Sequence, residues 1–252
     1  MLAVRRFGSG PPVVALHGFT LTGAQFAPAA ERLQRAVIAP DLPGHGASPP
    51  ASLSETVDDV AGIITSTGEP ASLLGYSQGA RIALLVALNH PDLVSHLILV
   101  SASAGIDDPV AQRVRAQSDG ALAERMAAMT LDDFLDEWTT TGITAVRFRS
   151  EAEEVADRSV RSENTIEGLA RALVDLGQGT QPSAWDRLAD LTMPVLLVHG
   201  AQDPKYATIS RRMAASIPDC SVVSIPGAGH NPFIDNPDST YVAISRFLDG
   251  TS

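Results

Sequence analysis

The sequence predicts an α/β protein with a mostly parallel central sheet, flanking helices and a helical cap insertion. Short apolar runs alternate with helical patterns along the chain of 252 residues. These runs lack the alternation of a strand with one wet face, so they indicate strands that are covered on both sides, as in a parallel sheet. Strands that alternate with helices are typical of the α/β layer arrangement.

Each apolar run stops at a glycine, proline, histidine or serine, which marks the end of a strand. The predicted strands are 12–16, 36–39, 71–74, 97–100, 194–198 and 221–225. Helical patterns between the strands predict helices over 54–67, 79–89 and 209–217. No internal repeat and no low-complexity tract interrupts this order.

Residues 105–182 follow a different pattern, with helical signals and no clear strand run. Helices are predicted there over 110–129, 130–140, 151–160 and 164–176. We therefore expect a helical cap over 105–182 and a core made of 1–104 and 183–252. The cap would cover the carboxyl edge of the sheet, where open α/β sheets bind ligands. The alternative is an ordinary run of surface helices.

Composition excludes several classes of protein. The chain is 44% hydrophobic and 19% charged, which argues against disorder, and its net charge of −11 disfavours a nucleic-acid partner. No apolar run approaches the length of a membrane span, and no long apolar stretch follows the first arginines as in a signal peptide. Cys220 is the only cysteine, so no internal disulfide can form, which suits the cytoplasm.

A nucleophile elbow is predicted around Ser77. The segment Gly75–Gly79 has the pattern Gly-x-Ser-x-Gly, a strand run precedes it, and a helical run follows it. The chain must turn sharply at such a junction, and this raises the serine hydroxyl above the sheet. The alternative is a structural serine in a tight turn.

A serine hydroxyl needs a base and an acid to act, and both candidates follow later strands. Asp203 lies after the strand at 194–198, and His230 lies after the strand at 221–225. In this architecture the expected chain order is serine, acid, histidine. We expect His230 to accept the Ser77 proton and Asp203 to hold the histidine tautomer.

An oxyanion hole is predicted from two backbone amides, those of Phe19 and Gln78. Phe19 follows the first predicted strand in His17-Gly18-Phe19, and Gln78 follows the serine. Two such N–H groups can donate to one developing negative charge. His45 is expected to shape the floor of the site. We expect no metal and no cofactor, because no cluster has ligand spacing and no phosphate-binding loop occurs.

These motifs resemble the α/β-hydrolase superfamily over the whole chain. They are His17-Gly18-Phe19, the segment 41–46, the elbow, Asp203 and Gly229-His230. The resemblance implies the α/β-hydrolase fold and a Ser-His-Asp triad, and it leaves the substrate open.

A narrower set of motifs is similar to the menaquinone-pathway synthases that eliminate pyruvate to give 2-succinyl-6-hydroxy-2,4-cyclohexadiene-1-carboxylate. The similar segments are 76–81, 113–119, 161–164, 176–185 and 203–206, together with Trp138. The resemblance implies a lyase without a cofactor in which Ser77 acts as the base. It also implies the substrate-binding residues Tyr76, Arg81, Arg115, Trp138, Arg161 and Lys205. Ala80 and Thr139 depart from the family pattern and would reshape the pocket.

The arginines suit a small polycarboxylate substrate. Arg81 lies four residues after Ser77, one helical turn on. A guanidinium binds a carboxylate through two parallel N–H groups and stays charged when it is partly desolvated. As the resemblance implies, Arg81, Arg115 and Arg161 are expected to converge on one pocket.

Two other functions stay open at this point. A hydrolase of carboxylic esters or of carbon–carbon bonds would use the same triad, with Ser77 acylated and then released by water. The third hypothesis is a ligand-binding module without catalysis. The presence of Ser77, Asp203 and His230 argues against this hypothesis. The sequence leaves the oligomeric state open.

Overall fold

The computed structural model describes residues 1–146 and 148–250. Within these residues, seven strands form one sheet in the spatial order β1-β3-β2-β4-β5-β6-β7. The strands are, in chain order, β1 (Val4–Phe7), β2 (Pro12–Leu16), β3 (Ala36–Pro40), β4 (Ala71–Tyr76), β5 (Val94–Val100), β6 (Val195–Gly200) and β7 (Cys220–Ile225). The mostly parallel sheet is confirmed, since the pairings from β2 to β7 are parallel.

The strand β1 is absent from the sequence prediction. It pairs antiparallel with β3, with Val4 opposite Pro40 and Phe7 opposite Val37. Its residues are alternately exposed and half-buried, and two arginines occupy its centre. A short edge strand of this kind carries no apolar run, so the criterion that located the other six strands missed it.

Ten α-helices are described within the same ranges. They are α1 (Ala29–Leu33), α2 (Leu53–Thr65), α3 (Gln78–Asn89), α4 (Pro109–Met126), α5 (Leu131–Thr140), α6 (Glu151–Arg161), α7 (Ile166–Asp175), α8 (Pro204–Ala214), α9 (Pro232–Asp235) and α10 (Pro237–Leu248). The helix predicted over 209–217 begins earlier, because Asp203 is the N-cap of α8 and Pro204 lies in its first turn.

Apolar side chains cover both faces of the sheet. Along β4, Leu73 packs into a cluster with Val60 and Leu84, whereas Leu74 points to the other face and packs with Phe26 and Ile244. Every residue of β4 is buried. This is the double coverage that the unbroken apolar runs predict. The site residues therefore stand at the edge of a rigid, close-packed support.

The helices α4 to α7 follow β5 and precede β6, as the sequence predicts for a helical insertion. They enclose a separate apolar cluster formed by Met126, Phe134, Leu135, Leu169 and Leu173. The exact division into a core and a cap at residues 105 and 182 stays a prediction. Residues 105–182 are called the cap.

The two ends of the cap lie side by side. The Ala184 amide donates to the Ala104 carbonyl at 2.7 Å, and the Trp185 indole donates to the Gly105 carbonyl at 2.9 Å. The Arg212 guanidinium lies 3.7 Å from the centre of the Trp185 ring. The insertion therefore leaves the sheet and returns to it at one place. In the described part of the chain, no helix combines the length and the apolar character needed to cross a bilayer.

Candidate active site

The turn between β4 and α3 holds Ser77 in a strained conformation. Its backbone has φ 50° and ψ −105°, in a region that residues other than glycine seldom adopt. The Gly79 amide donates to the His17 carbonyl at 3.0 Å. A Cβ atom at Gly79 would collide with the Leu16 carbonyl oxygen, so only glycine lets α3 approach β2 this closely. The elbow that the sequence predicts is present.

A chain of hydrogen-bonding contacts joins Ser77, His230 and Asp203. The Ser77 Oγ lies 3.0 Å from His230 Nε2, and His230 Nδ1 lies 3.1 Å from Asp203 Oδ2. Ser101, at the end of β5, donates its hydroxyl to the His230 carbonyl at 2.8 Å and so fixes the backbone of the histidine. A histidine between a hydroxyl and a carboxylate can accept a proton from the one while the other stabilises the imidazolium.

Asp203 is buried and charged. Burial by itself raises a carboxyl pKa, but hydrogen bonds from the His230 ring and the Tyr206 amide outweigh burial, so the pKa of Asp203 lies below its ordinary value. The Tyr206 ring packs against His230 with 4.6 Å between ring centres. Asp203 therefore orients the imidazole from one edge while Tyr206 covers a face.

The amides of Phe19 and Gln78 are both free of backbone hydrogen bonds within the described chain. Gln78 is the first residue of α3, where a helical N–H has no partner inside its own helix. Next to Phe19, a Cβ atom at Gly18 would lie 2.6 Å from the Tyr76 ring, so glycine is needed there too. Both amides can therefore donate to a ligand, and their role as an oxyanion hole stays a prediction.

Two buried histidines support the loop that carries Phe19. His17 Nε2 accepts from the Leu42 amide at 2.8 Å, and His17 Nδ1 lies 2.8 Å from the Gly18 carbonyl. Burial lowers the pKa of His17 to about 4 and that of His45 to about 3. The His45 ring meets Phe19 edge-on at 5.7 Å. Both histidines are therefore neutral at pH 7, and they support the segment that carries Phe19.

The cavity beside Ser77 is small, with a volume of about 40 Å³. Its walls come from the core and from the cap, and they are formed by Phe19, Leu21, Tyr76, Ser77, Trp138, Thr144, Ala145, Val146, Arg161, His230 and Asn231. Pockets for drug-sized ligands typically measure about 300–1,000 Å³. A larger substrate can therefore reach Ser77 only if this cavity widens.

Aromatic side chains close one wall of this cavity. Trp138 and Phe19 meet edge-to-face at 5.1 Å, and Phe134 lies 5.7 Å behind Trp138. Tyr76 also lines the cavity, and its burial raises the pKa of its hydroxyl, which stays protonated. Thr139, which departs from the family pattern, donates its hydroxyl to the Leu135 carbonyl within α5.

Arg161 is the only lysine or arginine of the described chain that lines the cavity beside Ser77. It is 3% exposed and forms a two-bonded ion pair with Asp157, one turn earlier on α6. A third guanidinium nitrogen bonds the Thr20 hydroxyl. A guanidinium carries five N–H groups, so donors remain for a ligand.

Arg81 does not line that cavity, although it is buried. Its guanidinium donates to the side-chain oxygen of Gln181 at 3.2 Å and to the Leu176 carbonyl at 3.0 Å. Burial lowers the pKa of Arg81 to about 10, and neither acceptor is charged. Arg81 is therefore a buried cation without a carboxylate at hydrogen-bonding distance.

Arg115 and Lys205 do not line the cavity beside Ser77; Arg115 lies close enough to lower the pKa of Arg81, and Lys205 lines a neighbouring pocket together with Asp203 and His230. Arg115 pairs with Asp119 at 2.8 Å and donates to Gln178 at 2.6 Å. Lys205 lies beside the Tyr206 ring, and its pKa is lowered by burial and by Arg115. In this structure only Arg161 of the three arginines lines the cavity, whereas Arg81 and Arg115 bond to the returning segment 176–181, so their convergence on a bound substrate stays a prediction.

No group of three His, Cys, Asp or Glu side chains is placed to hold a metal ion in residues 1–146 and 148–250.

Comparison with known proteins agrees with this geometry. Residues 13–244 match the sequence model of the alpha/beta hydrolase family. The chain belongs to the alpha/beta hydrolase family. In structure it is similar to MenH from S. aureus, with a TM-score of 0.93, 27% identity and 99% of each chain covered.

The chain is similar in sequence to proteins that are named for different reactions. It is 29% identical to 2-succinyl-6-hydroxy-2,4-cyclohexadiene-1-carboxylate synthase of Serratia proteamaculans (strain 568), over 98% of each protein. It is 30% identical to 2-(acetamidomethylene)succinate hydrolase of Mesorhizobium japonicum, over 98% of this chain and 91% of that protein. It is 30% identical to the chloroplastic protein PHYLLO of Arabidopsis thaliana over 95% of this chain, and spans 15% of PHYLLO.

The sequence analysis did not single out Asp157, Tyr206 or Asn231, which contact or line the site. Asp157 was detectable, since it precedes Arg161 by the four residues that bring two helical side chains together. Tyr206 and Asn231 are neighbours of predicted residues, but their contacts depend on how separate loops meet. Nothing in the local sequence specifies those contacts.

Proposed function

We propose that this alpha/beta hydrolase family member is a lyase. It eliminates pyruvate from 2-succinyl-5-enolpyruvyl-6-hydroxy-3-cyclohexene-1-carboxylate and leaves 2-succinyl-6-hydroxy-2,4-cyclohexadiene-1-carboxylate. The observation that carries the proposal is the Ser77–His230–Asp203 chain, which opens on a cavity whose wall holds the buried Arg161. An anionic substrate would meet a base and a cation in one closed space.

The change of double bonds defines the reaction. The ring begins with a double bond at C3 and ends with double bonds at C2 and C4, while C5 loses its oxygen substituent. A proton must therefore leave C2, and the C5–O bond must break with its electron pair going to oxygen. The enolate of pyruvate that departs then takes up a proton on its CH₂ carbon.

The residues beside Ser77 suit that step. His230 takes the Ser77 proton, and the alkoxide removes the proton from C2, which the neighbouring succinyl ketone makes acidic. Negative charge then develops on the ketone oxygen, where the Phe19 and Gln78 amides would donate. Asp203 stabilises the positively charged imidazole during the transfer.

The carboxylates of the substrate need positive partners. Arg161 can bind one at the cavity wall with the donors that Asp157 and Thr20 leave free. Arg81 becomes available when Gln181 and the Leu176 carbonyl withdraw, Arg115 lies near Arg81, and Lys205 lies near Arg115. Movement of the cap would thus enlarge the cavity and uncover Arg81 together.

A serine hydrolase is the second candidate function, favoured by the 30% identity to a protein named 2-(acetamidomethylene)succinate hydrolase. In that reaction Ser77 would attack a carbonyl carbon, and water would release the acyl group. The same arginines would bind a carboxylate of the substrate.

Pyruvate release from the enolpyruvyl substrate tests the proposal, with Ser77→Ala and Arg81→Ala run beside the wild type. We expect rapid release by the wild type and a loss of about 10³-fold or more in Ser77→Ala. Arg81→Ala should lower release by at least tenfold and change the turnover of the neutral ester p-nitrophenyl acetate much less. A folded wild type that leaves the substrate intact would overturn the lyase, and ester turnover lost in Ser77→Ala would then favour the hydrolase.

A further inference from the structure

The side chain of Asn231 lies in the cavity wall without a protein partner. Asn231 directly follows His230, is 6% exposed and lines the cavity beside Ser77. Its side-chain oxygen is fully buried, and no hydrogen-bond partner for it exists within the described chain. No step of the proposed elimination of pyruvate uses this amide.

The Asn231 side chain also does not cap the helix that follows it. It is the N-cap residue of α9, and its backbone carbonyl accepts from the Ile234 and Asp235 amides at 3.1 and 3.0 Å. An asparagine at an N-cap usually accepts a further bond through its side chain. The Asn231 side chain makes no such bond, although the residue lines the cavity.

The next helix provides a direct comparison. Asn236 is the N-cap of α10, and its side-chain oxygen accepts from the Ser239 amide at 3.2 Å while its nitrogen donates to the Pro226 carbonyl at 2.9 Å. Asn236 therefore has the satisfied arrangement that this residue type favours. The unsatisfied amide of Asn231 is unfavourable in the ligand-free protein, and a ligand would relieve it.

We infer that Asn231 is a specificity-determining residue that hydrogen-bonds a hydroxyl group of the substrate that neighbours a carboxylate. This inference rests on the proposed function. Arg161 lines the same small cavity, so the ligand meets a neutral amide and a cation in one space. A hydroxyl next to a carboxylate satisfies both, since the hydroxyl donates to the amide oxygen and the carboxylate accepts from the guanidinium. The proposed substrate has this pair at ring positions 6 and 1.

The test compares Asn231→Ala with the matched control Asn236→Ala. Because Asn231 makes no side-chain bond in the ligand-free protein, its replacement should leave Tm unchanged or raise it. Loss of the cap bond in Asn236→Ala should lower Tm by about 2–4 °C. Pyruvate release should fall about 10–100-fold in kcat/KM for Asn231→Ala, mainly through KM, and stay within about twofold for Asn236→Ala.

Each outcome bears on one claim. A fall in Tm for Asn231→Ala as large as that for Asn236→Ala would make Asn231 structural and overturn the inference. Pyruvate release that is unchanged in Asn231→Ala would overturn it while the lyase stands. A kcat/KM loss that is as large for p-nitrophenyl acetate, which has no hydroxyl, would also overturn it. A wild type that releases no pyruvate would remove the proposed function and this inference together.

Discussion

Arg161 and Asp157 form a buried, two-bonded ion pair within α6. The Arg161 Nε lies 2.6 Å from one Asp157 oxygen, and Nη2 lies 3.1 Å from the other. Their side chains are 4% and 7% exposed. The pair fixes the plane of the guanidinium at the wall of the Ser77 cavity, so Asp157 acts on that cavity through Arg161.

Breaking this pair should destabilise the protein. Asp157→Asn leaves the Arg161 charge buried without a partner, and we expect a loss of about 3–5 kcal/mol in the free energy of unfolding. The control is Asp175→Asn, which breaks the Arg171–Asp175 pair with the same spacing on α7. Arg171 is largely exposed, so this variant should lose about 1 kcal/mol or less. Urea unfolding measures both, and equal losses would contradict the role given to burial.

The proposed triad predicts a specific loss of activity in Asp203→Asn. An asparagine at this position can still accept from the Tyr206 amide and cap α8, but it no longer stabilises the charged His230 or fixes its tautomer. We expect kcat to fall by about 10²–10⁴-fold with little change in Tm. Asp190→Asn, at the exposed end of a turn after the cap, is the control. Activity that survives in Asp203→Asn would remove Asp203 from the triad.

Two glycines in helices should respond to alanine in opposite directions. At Gly79 the new Cβ would collide with the Leu16 carbonyl, so Gly79→Ala should cost about 1–3 kcal/mol or more and displace Ser77. At Gly120, inside α4, a Cβ meets no atom within 4 Å. Gly120→Ala should therefore stabilise the protein by about 0.5–1 kcal/mol. Thermal unfolding of both variants measures these changes in stability. A stabilised Gly79→Ala would show that α3 can move away from β2.

The buried histidines predict lower stability in mild acid. The folded pKa values of His17 and His45 are about 4 and about 3, below the ordinary value of 6.5. The unfolded chain therefore binds more protons between pH 6.5 and 4, and stability that is complete above pH 6.5 falls as the pH approaches 4. Between pH 7.5 and pH 5 we expect each ring to account for a loss of about 2 kcal/mol.

Removing one ring tests this assignment. His45→Gln should remove about half of the histidine-dependent loss between pH 7.5 and pH 5, as measured by urea unfolding at the two values. The matched control is His90→Gln, which replaces a half-exposed ring at a helix end and leaves both buried rings in place. An unchanged slope in His45→Gln would mean that other groups set the acid sensitivity.

Much of the fold and of the site was readable from local patterns. Strands β2 to β6 are buried along most of their length and carry apolar runs, and such signals depend only on near neighbours. Strand β7 lies at the edge of the sheet and exposes Ser221, Val222 and Ser224, so the expected coverage on both faces is wrong for this strand. The elbow was readable because Gly75, Ser77 and Gly79 are close in sequence. The edge strand β1 was not readable, since its pairing with β3 depends on residues that lie far along the chain.

By itself, the sequence determined the strand–helix order, the elbow at Ser77 and the acid and histidine that follow later strands. Only the tertiary structure decided that Arg161 reaches the cavity while Arg81 lies under the returning segment 176–181, and that Asn231 lines the cavity with its side-chain oxygen unbonded. The physical reason is range. Backbone patterns and turn chemistry act over a few residues, whereas burial, ion pairing and hydrogen-bond satisfaction depend on segments that meet only when the sheet and the cap are packed together.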